Sequence, residues 1–405
     1  MRCGLLGEKL GHSYSPQIHA LLGEYSYTLF EKQSAELEEF LKQGDFHGLN
    51  VTIPYKKAVI PYLTELSPVA ARLGAVNTIV RREDGSLIGH NTDYFGFRTI
   101  VEASGLKPAG KKTLVLGSGG ASNTAVAVME EMGSEVIVIS RSGENSYDNL
   151  NKHRDAAIIV NATPVGMYPN VDASPVSLEQ FPSLEGVLDL IFNPARTRLL
   201  QQAEERGLVA MNGLLMLVAQ AKESAEWFTG APIDSQKIGI IHRQLRDQME
   251  NVVLIGMPGC GKSTVAKVLS QLTGKEVVDA DAQIVATAGM SIPEIFAQGG
   301  EDAFRKLETQ VLAQLGKRSG IILATGGGCV TRPENYPLLH QNGQIFWLKR
   351  DIGVLPTDGR PISQSTDLER LYEMRRPQYE AFADHVIDNN GTVQEAAEKI
   401  LGRST

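Results

Sequence analysis

The stretch GMPGCGKS at residues 256–263 constrains this 405-residue chain more than any other feature. It satisfies the spacing G-x-x-x-x-G-K-[ST] in full, behind the apolar run VVLIG (252–256) and ahead of the amphipathic stretch TVAKVLSQL (264–272). Between a strand and a helix, such a loop turns successive backbone N–H groups inward at a helix N-terminus, where they cradle phosphates. The candidate nucleotide-binding residues are Gly259, Cys260, Gly261, Lys262, Ser263 and Thr264. Lys262 brings a mobile positive charge to the β- and γ-phosphates, and the Ser263 hydroxyl can complete a Mg²⁺ shell. Cys260 reads as a small side chain filling a tight turn.

The rest of the chain repeats the strand-then-helix rhythm. Apolar runs LVLG (114–117), VIVIS (136–140) and AIIVNAT (157–163) form one series; VVLIG, GIILATGGG (320–328) and QIFWLKR (344–350) form a second. Alternation of this kind predicts α/β domains with parallel sheets. The length exceeds one ordinary core, so two or three domains are expected, with a junction near 246–250 inside the polar stretch HRQLRDQMEN (242–251). With 42% hydrophobic and 21% charged residues the chain can bury real cores. A net charge of -8 repels phosphate backbones and acidic membranes, which argues against nucleic acid as a partner. Three scattered cysteines, Cys3, Cys260 and Cys329, fit a reducing cytoplasm rather than a disulfide framework. No apolar run reaches the roughly 20 residues of a membrane span.

A second phosphate-binding turn lies in the first series. GSGGAS (117–122) follows a strand and opens a helical stretch, as a dinucleotide turn does. The candidate contacts are Gly117, Ser118, Gly119, Gly120 and Ala121. After the next strand come Ser140, Arg141 and Ser142, where an NAD site usually places an acid. An acid would repel a 2′-phosphate and Arg141 would bind one, so NADP is favoured over NAD. Ahead of this unit, GHSYSP (11–16), GLNVTIPYK (48–56), GAVNT (74–78) and HNTD (90–93) crowd polar residues beside small ones, the composition of a substrate-binding lobe. His12 reads as a turn residue.

Together with NATPVGM (161–167) and GLLMLVAQ (213–220), these motifs resemble the shikimate dehydrogenase family over residues 1 to about 240. The resemblance implies that Ser13 and Ser15 hold the substrate carboxylate, that Thr52, Asn77 and Gln220 fix its hydroxyls, and that Lys56 and Asp93 form the catalytic pair. It adds Leu190 and Gly213 to the NADP site. Phe192 stands in the substrate site where many members carry a tyrosine, Ser140-Arg141-Ser142 replaces Asn-Arg-Thr, and the stretch 142–158 is short.

Downstream of the P-loop come Asp279 and Asp281, FRKLE (304–308), GGG (326–328), Arg360-Pro361 and RRPQY (375–379). In this order they resemble the shikimate kinase family across residues 251–402. That resemblance assigns Asp279 to the Mg²⁺ shell with Ser263, Asp281 to the substrate hydroxyls as the group that takes the proton, Arg305 and Arg375 to the substrate carboxylate, the Gly327 backbone to the substrate, and Arg360 to the ATP lid. The segment 349–359 is shorter than in many members, and after Asp388 the chain lacks the arginine that some members place near the adenine.

The two resemblances imply a bifunctional enzyme of aromatic amino-acid biosynthesis. NADPH would reduce 3-dehydroshikimate to shikimate, and ATP with Mg²⁺ would phosphorylate shikimate on its 3-hydroxyl. The implied architecture is a substrate lobe, 1–95 completed by 214–245, around a Rossmann NADP domain, 96–213. A P-loop α/β domain of the nucleoside-monophosphate-kinase kind follows at 250–405, with a lid near 351–365. Two alternatives remain: a quinate dehydrogenase fused to the kinase, or a non-catalytic sensor of pathway intermediates.

Overall fold

The computed structural model describes residues 1–11, 13–355 and 368–402. Arg360, most of the lid segment and His12 lie outside the described residues. Contacts divide the chain into two units: Met1–Gly166, Ala173–Phe192 and Leu199–Gln244 form the first, and Met167–Asp172, Asn193–Arg198 and Leu245–Thr405 the second.

The first unit holds two sheets. One is six-stranded, in the order β2-β1-β3-β5-β6-β4. Its strands are β1 (Arg2–Gly7), β2 (Ser26–Glu31), β3 (Gly48–Val51), β4 (Glu65–Leu66), β5 (Thr78–Arg81) and β6 (Leu87–His90). The expectation of parallel sheets fails here, because β3 pairs with β5 and β5 with β6 antiparallel. For β5 and β6 the reason is local: they are joined by a turn in which Arg82 N–H donates to the Ser86 carbonyl, too short for a crossover. The mixed topology also builds the site. β1, β3 and β6 end, and β5 begins, at the same edge, so Ser13, Ser15, Thr52, Lys56, Asn77 and Asp93 leave the sheet together.

The second sheet comprises β7 (Lys112–Leu116), β8 (Glu135–Ile139), β9 (Ile158–Asn161), β10 (Gly186–Asp189) and β11 (Val209–Met211), all parallel, in the order β11-β10-β9-β7-β8. The chain reverses direction across the sheet between β7 and β9, so a crevice opens beyond their C-terminal ends. The glycine turn at 117–120 stands there, leading into the helix Gly120–Glu131. Leu114, Leu116, Ile159 and Val187 face one buried layer, and Val115, Ile158, Val160 and Leu188 the other, as expected for a sheet covered on both faces.

The second unit is a five-stranded parallel sheet in the order β13-β14-β12-β15-β16. It consists of β12 (Asn251–Ile255), β13 (Glu276–Asp279), β14 (Ile321–Ala324), β15 (Gly343–Lys349) and β16 (His385–Asp388). The central strand β12 is buried throughout and delivers the P-loop to the N-terminus of the helix Lys262–Thr273. Helices Ala280–Ala288 and Ile292–Leu315 carry Asp281 and Arg305, and Leu368–Phe382 carries Arg375. The short segment 193–198 belongs to this unit: Arg196 donates from its backbone to the Gln341 carbonyl at 2.8 Å and from its side chain to that of His340 at 3.1 Å.

The polar stretch at 242–251 is not a loop. The helix Gln236–Met249 runs through it, with Leu245 and Met249 buried. Lys275 holds the end of that helix, its ammonium donating to the Asp247 carbonyl at 2.7 Å and to the Glu250 carbonyl.

Candidate active sites

In the first unit a cavity of about 420 Å³ is walled by Ser13, Ser15, Thr52, Lys56, Asn77, Asp93, Ala121, Leu190, Phe192, Gly213 and Gln220, with Tyr14, Asn50 and Met216 among the others. Lys56 Nζ donates to Asp93 Oδ2 at 2.6 Å, and the two side chains are 30% and 16% exposed. That exposure leaves the ammonium reachable by a substrate while its direction is fixed by the carboxylate. Asn77 is buried, and its Oδ1 accepts from Thr92 N at 2.7 Å, Thr92 Oγ1 at 3.2 Å and Thr78 Oγ1 at 3.1 Å. With the oxygen saturated, its amide donors are what it can offer a ligand. Behind it, Ser224 Oγ meets Asn50 Nδ2 at 2.8 Å, Thr78 Oγ1 at 2.8 Å and Thr92 Oγ1 at 2.9 Å. This polar network is buried and ties the strand ends that carry the site to the helix Leu214–Thr229.

The dinucleotide turn has the shape its composition predicts. Gly117 sits at φ +105°, against Thr163 and Ala162 at the end of β9, while Gly119 and Gly120 face open space where side chains would stand. Ser122 Oγ ties the turn by donating to the Gly117 carbonyl at 2.7 Å. Open backbone at a twelve-residue helix N-terminus fits a pyrophosphate. Ser140 and the exposed Arg141 and Ser142 follow β8 and lie outside the wall of the substrate cavity.

In the second unit a cavity of about 490 Å³ brings together Gly259, Gly261, Lys262, Ser263, Thr264, Asp279, Asp281, Arg305, Gly327 and Arg375. Lys262 Nζ donates to the Gly256 and Met257 carbonyls at 2.9 and 3.1 Å, curled over its own loop. Ser263 Oγ donates to Asp279 Oδ2 at 3.0 Å, and Asp279 Oδ1 caps the helix behind it by accepting from Ala282 N at 3.1 Å. Among the described residues no cluster of three or more His, Cys, Asp or Glu could hold a metal. The Ser263–Asp279 pair nevertheless fits Mg²⁺, which keeps most of its shell as water and substrate phosphate. Cys260 does not face the cavity: its side chain is buried, its N–H donates to the Met257 carbonyl, and its own carbonyl accepts from Asn389 Nδ2 at 2.5 Å.

The acceptor end of this cavity is built on three glycines. A Cβ on Gly326 would lie 2.8 Å from oxygens of both Asp281 and Glu308; on Gly327, 2.6 Å from Pro258 of the P-loop; on Gly328, inside the Arg305 guanidinium. Arg305 Nη1 donates to Glu308 Oε2 at 2.7 Å, and Arg375 Nη1 to the Gly327 carbonyl at 3.2 Å. Burial, reinforced by Asp279, pushes the Asp281 carboxyl above the ordinary carboxylate range, and burial does the same to Glu308. Two guanidinium groups can grip a carboxylate, and a carboxyl of raised basicity can take a proton from a hydroxyl.

Sequence reasoning gave no role to Glu308, Tyr379, Asn50, Thr92 or Ser224. Glu308 was visible three residues after Arg305, on the same helical face. Tyr379 is buried, and its hydroxyl donates to the Gly327 carbonyl beside Arg375. Ser224 gave no signal of its place in the network, since Asn50, Thr78 and Thr92 lie at least 132 residues away in sequence. Among the described residues no helix is long and apolar enough to cross a membrane.

Known proteins share both patterns. A family model for the shikimate dehydrogenase substrate binding domain matches residues 5–79, and one for shikimate kinase matches residues 258–404. A shikimate dehydrogenase (NADP(+)) of Clostridium perfringens is 35% identical over 265 residues, which cover 60% of this chain and 97% of the relative. The crystal structure of shikimate dehydrogenase 1 from Peptoclostridium difficile, 39% identical, superposes with a TM-score of 0.56 over 60% of this chain and 97% of that one. Shikimate 5-dehydrogenase from Thermus thermophilus, in complex with NADP(H) and shikimate, is 34% identical with a TM-score of 0.55, covering 60% and 99%.

Proposed function

The chain belongs to the shikimate dehydrogenase family and continues into a shikimate kinase domain, and we propose that Lys56 and Asp93 perform the first of its two reactions and Asp281, Arg305, Arg375 and Lys262 the second. It is a bifunctional enzyme of the shikimate pathway that reduces 3-dehydroshikimate to shikimate and phosphorylates the shikimate 3-hydroxyl. The observation that carries the reading is the 2.6 Å Lys56–Asp93 pair in a cavity walled by two serines, two asparagines and a glutamine.

When bound, NADPH supplies the hydride, and ATP with Mg²⁺ supplies the phosphoryl group. In the first unit the Lys56 ammonium donates a proton to the oxygen of the ketone as it gains charge, and Asp93 keeps the ammonium aimed. Ser13 and Ser15 orient the carboxylate; Thr52, Asn77 and Gln220 orient the hydroxyls. In the second unit Arg305 and Arg375 hold the acceptor's carboxylate, the Gly327 backbone meets the acceptor, and Asp281 takes the proton of the attacking hydroxyl. Lys262 would leave its loop carbonyls to meet phosphate, and Ser263 with Asp279 would hold Mg²⁺. Arg141 supports NADP over NAD. Working boundaries of 1–95 with 214–245, 96–213 and 250–405 follow from this reading. The proposed compartment is the cytoplasm, supported by three buried free thiols, and the net charge of -8 speaks against a nucleic-acid partner.

The test is a single-pot assay with 3-dehydroshikimate, NADPH, ATP and Mg²⁺, following NADPH loss and shikimate 3-phosphate together. Wild type is expected to make the phosphate, Lys56→Ala to lose reduction, and Lys262→Ala to stop at shikimate. A first unit that prefers quinate and NAD would overturn the dehydrogenase assignment, and a wild type inert in both steps would make the chain a sensor.

A further inference from the structure

Arg350 is an arginine without a described counter-charge beside the P-loop. It directly follows β15, and its Nε is buried without a hydrogen-bond partner. No carboxylate among the described residues pairs with its guanidinium. One candidate anion in the same turn is engaged elsewhere, since Asp351 Oδ1 accepts from Asn390 Nδ2 at 3.3 Å. Arg350 Nη1 lies 3.6 Å from the point where a Cβ on Gly261 would stand, and Asn389 Nδ2 lies 3.3 Å from the same point. Asn389 braces the loop through the Cys260 carbonyl. Arg350 makes no such bond.

A guanidinium stays charged at any working pH, and Arg350 is half-buried with its Nε shut off from water and without a hydrogen-bond partner, which carries a desolvation cost. The cost is offset if an anion arrives. The P-loop is the one place nearby that is built to receive anions, at the N-terminus of the helix Lys262–Thr273. Arg350 is absent from the cavity wall where Arg305 and Arg375 face the hydroxy acid, so its reach is toward the nucleotide on the Gly261 flank. Lys262 and Ser263 serve the β- and γ-phosphates on the other side of that glycine.

We propose that Arg350 is a nucleotide-binding residue whose guanidinium meets the α-phosphate of ATP where the nucleotide leaves the P-loop past Gly261. The proposal rests on the kinase reading of the second unit. Its test uses the full chain with Arg350→Ala and Arg350→Lys, measuring initial phosphorylation rates against ATP and against shikimate, and ADP binding by calorimetry. Arg350→Ala is expected to raise the KM for ATP and the Kd for ADP roughly ten- to a hundredfold, the size of one charge-assisted hydrogen bond, with the KM for shikimate changed less than about twofold. Arg350→Lys, which keeps the charge, recovers part of the loss. An unchanged ATP KM, or equal rises in both KM values, overturns the proposal. A wild-type chain that binds no ADP and phosphorylates nothing overturns the kinase reading instead.

Discussion

Asp281 and Glu308 reach one glycine from two different helices, each placing a carboxyl oxygen 2.8 Å from where a Cβ of Gly326 would stand. Two carboxyls in one enclosed corner favour keeping a proton, and burial raises both above the ordinary range. Since Asp281 must be ionised to accept the proton of a hydroxyl, kcat/KM for phosphorylation should fall on acidification through an apparent pKa above that of an ordinary aspartate. The pH profile of the kinase assay, with dehydrogenation measured in the same preparation as control, checks this. An acid limb in the ordinary aspartate range would contradict it.

Removing the proposed proton donor of the other site should be more severe. Lys56→Ala is expected to lower kcat/KM for 3-dehydroshikimate by about 10²–10⁴, the usual worth of a positioned acid, while leaving phosphorylation of supplied shikimate intact. Asp93→Asn keeps the hydrogen-bonding shape and removes the charge beside the 2.6 Å contact, so it should lose less. Parallel assays of both reactions on one chain separate a chemical effect from misfolding.

How far these sites could be read from the sequence depends on how local each part is. The P-loop and the glycine turn are contiguous, and a strand-turn-helix context makes their backbone geometry a consequence of composition. Asp281, Arg305 and Arg375 were found through motif order, which carries no distances. Hidden from sequence were the parts formed by long-range packing. Ser224 closes a network with Asn50, Thr78 and Thr92 that only the folded sheet assembles, and Tyr379 matters because a helix lays it under the Gly327 carbonyl. Periodicity gave no warning of the antiparallel β5 either, since a four-residue strand looks alike in either direction.

Tyr379 and Arg375 share the Gly327 carbonyl, so this peptide of the cavity wall, proposed to meet the hydroxy acid, is held by two side chains. Tyr379→Phe removes one of the two donors and keeps the ring stacked on Trp347 at 5.6 Å. The KM for shikimate should rise several-fold with the ATP KM unchanged, and stability should drop by about 0.5–1.5 kcal/mol. Equal changes in both KM values would mark Tyr379 as a core residue alone.

Ser224→Ala should unsettle the first unit without touching a ligand-facing atom. The buried hydroxyl joins Asn50, Thr78 and Thr92, themselves buried, and donates to the Gln220 carbonyl at 2.9 Å. Leaving those groups short of a partner is expected to cost about 1–3 kcal/mol. Urea denaturation followed by loss of dehydrogenase activity measures it, and a midpoint equal to wild type would mean that water fills the gap.

The first unit should also lose stability in mild acid through two buried imidazoles. His19 is stacked on Tyr27 at 4.0 Å, with Nδ1 hydrogen-bonded to the Tyr25 hydroxyl at 2.7 Å; His90 is stacked on Trp227 at 3.7 Å, its Nε2 buried without a partner. Burial lowers His19 from 6.5 to about 3 and His90 from 6.5 to about 4. The unfolded chain therefore takes up protons that the native state refuses. The stability linked to the neutral rings is complete above about pH 6.5 and is lost as pH falls toward about 4 for His90 and about 3 for His19. Unfolding midpoints in urea should thus decline between pH 7 and pH 5, with dehydrogenase activity as the probe. His90→Phe preserves a ring against Trp227 and abolishes one titration, so its decline should be shallower than that of wild type. A slope equal to wild type would mean that His90 gains its proton as readily when folded as when unfolded, and would leave His19 as the source of any remaining acid sensitivity.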